Sequence, residues 1–256
     1  MIRLVFLGTG GSFGTPVLTC TCPSCRSTDQ RDQRLRSSVI LEWDDTRILI
    51  DAGLDFRQQA LRAGIDRLDG VWFTHSHADH TGGVDDLRPY CFGGRVLPVA
   101  GLSSVMEELH HRFAYAFRTE ADLSGVSHPL LRSEIITPEQ SFRVGGREVV
   151  PLPAEHGPFP VVGFRVGPIA YLTDVSSVPE TTLAKMEGLD VLVLSALRDE
   201  PHPTHLSFTQ AITLARRIGA RCTWFTHFAH GRCHAELEEL FPEGMSPAFD
   251  GLVISA

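Results

Sequence analysis

Four residues within six positions, His75, His77, Asp79 and His80, form the densest group of metal-type side chains in this sequence. They lie in His75-Ser76-His77-Ala78-Asp79-His80, directly after the apolar run Gly70–Thr74. In extended backbone, residues two apart point the same way, so His75 and His77 converge on one ion. A turn into the Thr81–Leu87 segment then frees Asp79 and His80 to face a second. Imidazole nitrogen with carboxylate oxygen suits Zn²⁺, Mn²⁺ or Fe²⁺ in a hydrolytic centre. Water held between two such cations is hydroxide-like near neutral pH, and a cation also polarises the substrate oxygen. Neither a Gly-x-Ser-x-Gly elbow nor a phosphate-binding P-loop is present, so the expected nucleophile is water.

Other residues of the same type end apolar runs elsewhere. His156 follows Val149–Leu152, Asp174 follows Ile169–Leu172, and His227 follows Cys222–Thr226. Loops at strand ends are where active sites gather. Asp51, in Ile50-Asp51-Ala52-Gly53, also ends a strand and is expected to accept a hydrogen bond that fixes a ligand imidazole.

A second constellation is Cys20-Thr21-Cys22-Pro23-Ser24-Cys25, three thiols in six residues. A closed structural zinc site needs four ligands, and His230, Cys233, His234, Cys91 and Cys222 are candidates for the fourth. Six cysteines in a secreted chain would suggest disulfides; in a presumed cytosolic chain this spacing reads as metal binding. Cys91, Cys222 and Cys233 are scattered and otherwise read as packing residues.

The elements that must position these groups are short strands rich in Val, Ile, Leu and Phe. They are expected at Ile2–Leu7, Ser38–Trp43, Arg47–Asp51, Gly70–Thr74, Val96–Ala100, Val149–Leu152, Val162–Val166, Ile169–Leu172, Val191–Leu194, Cys222–Thr226 and Gly251–Ile254. Helical spacing marks Ser103–Phe117 and Thr209–Ile218, with shorter candidates at Thr181–Met186 and Ala235–Phe241. Strands interleaved with helices predict an α/β or α+β sandwich. No repeat, low-complexity segment or linker divides the 256 residues, so one domain spanning 1–256 is expected, with the Cys-rich knuckle at about 18–30.

Composition narrows the function further. A net charge of −8 argues against a general binder of long nucleic acid, which carries a basic face. It leaves room for a small phosphate substrate, because bound cations supply the local positive charge. No apolar run approaches the roughly 20 residues that cross a bilayer. Ile2–Leu7 is too short for a signal-peptide core, and a cytoplasmic location is expected.

Taken in order, Gly8-Thr9-Gly10-Gly11, Asp51-Ala52-Gly53, His75–His80, His156, Thr173-Asp174 and Thr226-His227 resemble the motifs of the metallo-β-lactamase superfamily. The resemblance implies an αββα sandwich of two mixed sheets flanked by helices. It also implies one metal on His75, His77 and His156, a second on Asp79, His80 and His227, and Asp174 bridging the two. The cysteine knuckle, Thr226-His227-Phe228-Ala229-His230 and the closing Phe249-Asp250-Gly251 narrow the likeness to the PhnP family of phosphoribosyl cyclic phosphodiesterases. That family implies His230 as the fourth knuckle ligand, with Zn²⁺ there, Mn²⁺ in the active site, and a homodimer. Imidazole and carboxylate would accept Zn²⁺ equally. The family also implies a general acid on the loop after the Asp190–Leu194 strand, where Pro203-Thr204-His205-Leu206 matches and His202 is a near competitor.

The expected function is therefore metal-dependent hydrolysis of a small cyclic or nucleotide-like phosphodiester, with His205 and Asp79 as catalytic residues. Two other readings remain. One is a different hydrolase of the superfamily: a ribonuclease, lactonase or thiolester hydrolase. A tRNA-maturing nuclease would carry a basic, Gly/Pro-rich arm, and none is present. The other is a carrier related to PqqB, which shares the knuckle but departs from the full metal motif. Gly101–Thr137 matches no motif and is expected to carry substrate selectivity. His110 and His111 read as packing or surface residues, and His128 and His234 receive no role. Arg112, Arg118, Arg132, Arg143 and Arg147 could approach a phosphate but read as solvated charges.

Overall fold

Alternating apolar runs build two seven-stranded sheets in the computed structural model, which describes residues 1–118 and 128–256. The first contains β1 (Arg3–Gly8), β2 (Ser38–Trp43), β3 (Thr46–Ile50), β4 (Gly70–Trp72), β5 (Leu97–Gly101) and β6 (Leu131–Ile135) in that order. The second runs from β7 (Phe142–Val144) through β8 (Arg147–His156), β9 (Phe159–Val166), β10 (Ile169–Leu172), β11 (Val191–Ser195) and β12 (Cys222–Thr226) to β13 (Met245–Pro247). The last strand, β14 (Val253–Ser255), returns to the first sheet beside β1.

Each sheet is antiparallel on one side and parallel on the other, and this sets the polarity of the site. β3, β4, β5 and β6 are mutually parallel, as are β10, β11, β12 and β13. β8 pairs antiparallel with β9, and β9 with β10, so β8 and β10 point the same way. The C-terminal ends of β3 and β4 therefore share one edge of their sheet. Those of β8, β10 and β12 share one edge of the other.

The sheets face each other across one continuous core. Leu4, Val39, Leu49 and Val71 from the first pack in the same cluster as Val149, Val162, Phe164 and Tyr171 from the second. Trp72 sits at the seam, its ring 4.9 Å from Phe164 and 6.3 Å from Trp43. A direct link joins the sheets next to the His motif, where the Val162 amide donates to the Thr74 carbonyl at 3.1 Å.

Helices cover the outer faces. Along the chain they are α1 (Pro23–Arg26), α2 (Phe56–Ala63), α3 (Ala78–Thr81), α4 (Ser103–Arg112), α5 (Glu180–Ala184), α6 (Phe208–Ile218) and α7 (His234–Leu240). Behind the second sheet, Leu172, Leu192 and Phe225 meet Phe208, Ala211 and Leu237 in a separate apolar layer. This is the expected αββα sandwich. Two differences stand out. The Ser103–Phe117 helix ends at Arg112 and continues as a 3-10 turn over Ala114–Phe117. Strands β6, β7 and β13 and the short helices α1, α2 and α3 were not expected. No helix among the described residues is long and apolar enough to cross a membrane.

Candidate metal centre

The seven residues expected to hold the active-site cations, His75, His77, Asp79, His80, His156, Asp174 and His227, all gather at the shared strand ends. Three of the turns there take an unusual backbone. Asp51, Asp174 and His227 follow β3, β10 and β12 with φ of 65°, 57° and 63°, the left-handed region that non-glycine residues seldom adopt. Such residues cluster at functional sites, and here they turn the chain sharply as each strand ends. Close backbone approach assists. A Cβ on Gly53 would lie 1.9 Å from the Asp79 carbonyl, so only glycine lets the Asp51 turn pack under α3.

The imidazoles are oriented one by one through their far nitrogens. His80 Nδ1 donates to Asp51 Oδ2 at 2.7 Å, leaving Nε2 directed into the cluster. Asp51 also accepts from the Thr74 amide and hydroxyl, at 2.8 and 2.9 Å. With its proton committed to Asp51, the Thr74 hydroxyl accepts from His75 Nδ1 at 3.0 Å, which turns His75 Nε2 inward too. His156 Nδ1 donates to the Thr204 carbonyl at 2.7 Å. One buried carboxylate thus sets two imidazoles, one of them through a hydroxyl.

The resulting donors fall into three overlapping groups whose ligand atoms lie within 4.8 Å of one another: His75, His77 and His156; Asp79, His80, Asp174 and His227; and His156, Asp174 and His205. Asp174 stands between them. Its Oδ2 is 3.9 Å from His75 Nε2 and 3.1 Å from His227 Nε2, and its Oδ1 is 3.5 Å from His80 Nε2. All of these residues are buried except His77, which opens to solvent beside the Phe159 ring.

Divalent cations fit this cluster. His75 Nε2, His80 Nε2 and both ring nitrogens of His227 are buried without a hydrogen-bond partner. Orphaned buried polar atoms are costly, and aimed at one small volume beside two carboxylates they form a ligand set. The electrostatics agree. Burial works against a charged His227, but Asp174 outweighs it and holds the imidazole up at about 9. His80 is likewise pushed well above its ordinary value, against burial, by Asp174, Asp51 and Asp79. Burial alone would raise the Asp174 carboxyl, yet His227 and His80 keep it well below the usual range. His75 goes the other way, lowered by burial and by His80. The side chains alone therefore hold protons where cations would sit, and a cation must displace them.

His205 completes the cluster from the second sheet. Leu206 donates to the Val175 carbonyl at 2.9 Å, which sets the loop against Asp174's neighbour. Immediately after it, Ser207 and Gln210 form a capping box that starts α6. His205 Nδ1 lies 4.0 Å from Asp174 Oδ2 and has no hydrogen-bond partner. Its ring stacks on His227 at 4.9 Å. Burial and then His227 push its pKa down to about 3. His202, the near competitor, sits further out, its ring 5.1 Å from His205 and its Nδ1 tied to Thr204.

The knuckle forms a separate cluster. His230 Nδ1 lies 3.4 Å from Cys20 Sγ, 3.4 Å from Cys22 Sγ and 3.6 Å from Cys25 Sγ. Zn–S and Zn–N bonds of about 2.3 and 2.05 Å at a tetrahedral angle put S and N roughly 3.6 Å apart, so the four atoms fit a zinc ion. The other candidate ligands lie elsewhere. Cys91 is buried against the Leu87 and Leu130 carbonyls, Cys222 meets the Asp190 carbonyl, Cys233 caps α7, and His234 contacts Arg34.

The remaining sequence candidates do not reach the metals. Arg112 donates to the Ser76 carbonyl and pairs with Glu108, bracing the His motif from outside. Arg132 pairs with Glu134, Arg143 with the Gly146 carbonyl, and Arg147 lies 3.9 Å from Asp44. His110 packs on Phe117, as expected. Of the Gly101–Thr137 segment, 119–127 lie outside the described residues.

Residues 46–228 match the family model described as "Beta-lactamase superfamily domain". The chain belongs to the metallo-β-lactamase superfamily. Within that superfamily it belongs with the PhnP family: a solved structure described as a new diphosphatase of that family shares 37% identity, covering 99% of this chain and 96% of the other, with a TM-score of 0.92. Zn²⁺-bound PqqB from Methylobacterium extorquens superimposes over 99% of this chain and 100% of its own with a TM-score of 0.82, but at 18% identity it speaks for the fold alone. A Porphyromonas gingivalis protein named octanoyltransferase is 38% identical over 98% of this chain. This chain spans only 51% of that protein's length. The PhnP-like chain thus pairs the metallo-β-lactamase fold with the metal-type cluster described above.

Sequence reasoning passes over three features of this centre. Thr74 was not singled out, although a hydroxyl directly before the first His of the motif is a readable signal. Phe13 and Arg198 carry no motif, and only the fold brings them beside His205.

Proposed function

We propose that this chain hydrolyses a small phosphodiester of cyclic or nucleotide type, phosphoribosyl cyclic phosphate being the narrowest form of the reading. The observation that carries it is the placing of His205, a third imidazole that clusters with His156 and Asp174 beside the two expected ligand sets, 4.0 Å from the carboxylate that joins them. A dinuclear centre alone serves many hydrolyses; an added proton donor on its leaving-group side suits a poorly departing alkoxide. The likeness to a PhnP-family diphosphatase supports phosphorus as the atom attacked.

His75, His77 and His156 would hold one cation and Asp79, His80 and His227 the other, with Asp174 shared. When bound, the cations acidify water and offset the charge that builds on the phosphoryl oxygens. Asp51 and Thr74 keep the ligand nitrogens aimed. Asp79, buried beside His80 and His227, would orient the attacking water, and His205 would donate a proton to the departing oxygen. Burial and His227 hold His205 neutral in the free protein, and an anionic substrate beside it would favour imidazolium. At the knuckle, Cys20, Cys22, Cys25 and His230 would hold a structural Zn²⁺.

The test is turnover of bis(p-nitrophenyl) phosphate by chelated protein reconstituted with Mn²⁺ or Zn²⁺. The matching phosphomonoester, a lactone and a β-lactam are assayed beside it. Diesterase activity restored by metal, with little on the others, is expected. A metal-loaded protein inert on the diester but active on the lactone would overturn the reading.

A further inference from the structure

Beside His205 a pocket of about 240 Å³ opens between the Gly11–Val17 loop and the Leu197–His205 loop. One wall is apolar, made by Phe13, Val17 and Phe228, and the other carries Arg198 and His202. Phe13 holds its ring 75% exposed, an unusual place for a phenyl side chain with no packing duty. Arg198 reaches the Glu200 and Pro201 carbonyls only at 3.4 Å, and the Glu200 carboxylate is 3.9 Å away. No hydrogen bond to Arg198 Nη1 occurs among the described residues, so the guanidinium keeps a face available for an anion.

The pocket's backbone is fixed. Leu197 donates to the Leu206 carbonyl at 3.0 Å, Phe208 to the Arg198 carbonyl at 2.9 Å, and Ala229 to the Leu197 carbonyl at 2.9 Å. Arg198 and His205 therefore belong to one pinned loop, and their separation is set by the fold.

Chemistry assigns this pocket a part of the substrate. This step rests on the phosphodiesterase reading: hydrolysis breaks the bond between phosphorus and the departing oxygen, water supplies oxygen to phosphorus, and His205 supplies the proton to the departing oxygen. Whatever that oxygen carries must lie on the His205 side, away from the two metal-ligand groups. The volume equals about eight waters at roughly 30 Å³ each, room for one heterocyclic ring and too little for a folded polymer, so the rest of the departing group would lie along the open mouth beside Phe13. An exposed phenyl face suits a planar ring, and a guanidinium suits a phosphate.

We infer that the pocket lined by Phe13 and Arg198 receives the departing half of the substrate and selects a nucleoside phosphate. The substrate class is then a phosphodiester whose departing group is a nucleoside phosphate, and Phe13 and Arg198 are its specificity residues.

Adenosine 5′-monophosphate is the probe, titrated calorimetrically into metal-loaded protein with ribose 5-phosphate for comparison. Both probes carry the same single phosphate for Arg198, so their ratio reports the ring. Tighter binding of the nucleotide by at least tenfold is expected, with that preference lost in Phe13→Ala. In Arg198→Gln the nucleotide should weaken about tenfold while adenosine is unchanged. A preference below threefold, or one that Phe13→Ala leaves intact, overturns the inference. Binding is read without turnover, so an absent diesterase activity would defeat the phosphodiesterase reading separately.

Discussion

Asp51 lies on the far side of the His80 ring from the metal cluster, yet it decides which nitrogen His80 presents. It is fully buried, and burial pushes its carboxyl up even though His80 and Thr74 favour the ionised form. Its cost to the fold is offset only while all three hydrogen bonds are made. Asp51→Ala should therefore weaken metal binding by roughly 10- to 100-fold, the usual effect of losing a group that orients a ligand. His205→Ala should do the opposite: full metal content after dialysis, with turnover of an alkyl diester lowered about 10²- to 10⁴-fold. Metal analysis and kinetics on the two variants together check this pair, and equal metal content in both would sink the role given to Asp51. At this scale the sequence was informative because ligands need particular atoms, and few residue types supply them. The left-handed turns at Asp51, Asp174 and His227 were not legible, since the strain is imposed by packing around each strand end.

Among the elements, the loop after β12 does two jobs. His227 faces the catalytic cluster and His230, three residues on, faces the knuckle, where its Nδ1 meets three sulfurs. Val17 donates its amide to Cys25 Sγ at 3.3 Å and lines the pocket beside His205, so the knuckle forms part of that wall. Cys25→Ser should lower the thermal midpoint by about 5–10 °C, as expected for a few kcal/mol lost from a chain of this size. It should also raise KM for a nucleotide diester more than it lowers kcat, with the metal content of the catalytic cluster retained. An unchanged KM would detach the knuckle from the pocket. Element by element, buried strands such as β11 and β12 were legible from their apolar runs. The missed ones have physical reasons. β6 is an edge strand with mostly exposed side chains, β7 is an edge strand of only three residues, β13 is short and ends in proline, and α2 buries only Phe56 and Gln59.

For the whole molecule, the protons stored in the cluster link stability to pH. His227 is held at about 9 against an ordinary 6.5, and His80 is raised in the same sense. A group raised on folding adds stability that is complete below about 6.5 and is lost as pH rises through its folded value. The thermal midpoint of chelator-stripped protein should therefore fall between pH 6.5 and 9. A cation needs those imidazoles deprotonated, so the gain in midpoint on adding metal should widen over the same window. Thermal melts across that range, with and without Mn²⁺ or Zn²⁺, check both slopes; a flat profile in stripped protein would show that the cluster stores no such protons.

The two ends of the chain are stitched to each other. Ile2 donates to the Ala256 carbonyl at 2.7 Å, and Ala256 donates back to the Ile2 carbonyl at 3.0 Å. Because β1 runs toward the Gly8–Gly11 turn beside His227, this seam lies at the opposite end of the strands from the catalytic cluster. The fold is in effect a ring closed by hydrogen bonds instead of a peptide. A short linker could join the ends and a new break be opened in an exposed turn such as Gly145-Gly146, giving a circular permutant with its ligand geometry intact. Anything fused at either end would likewise hang from the side opposite the catalytic cluster.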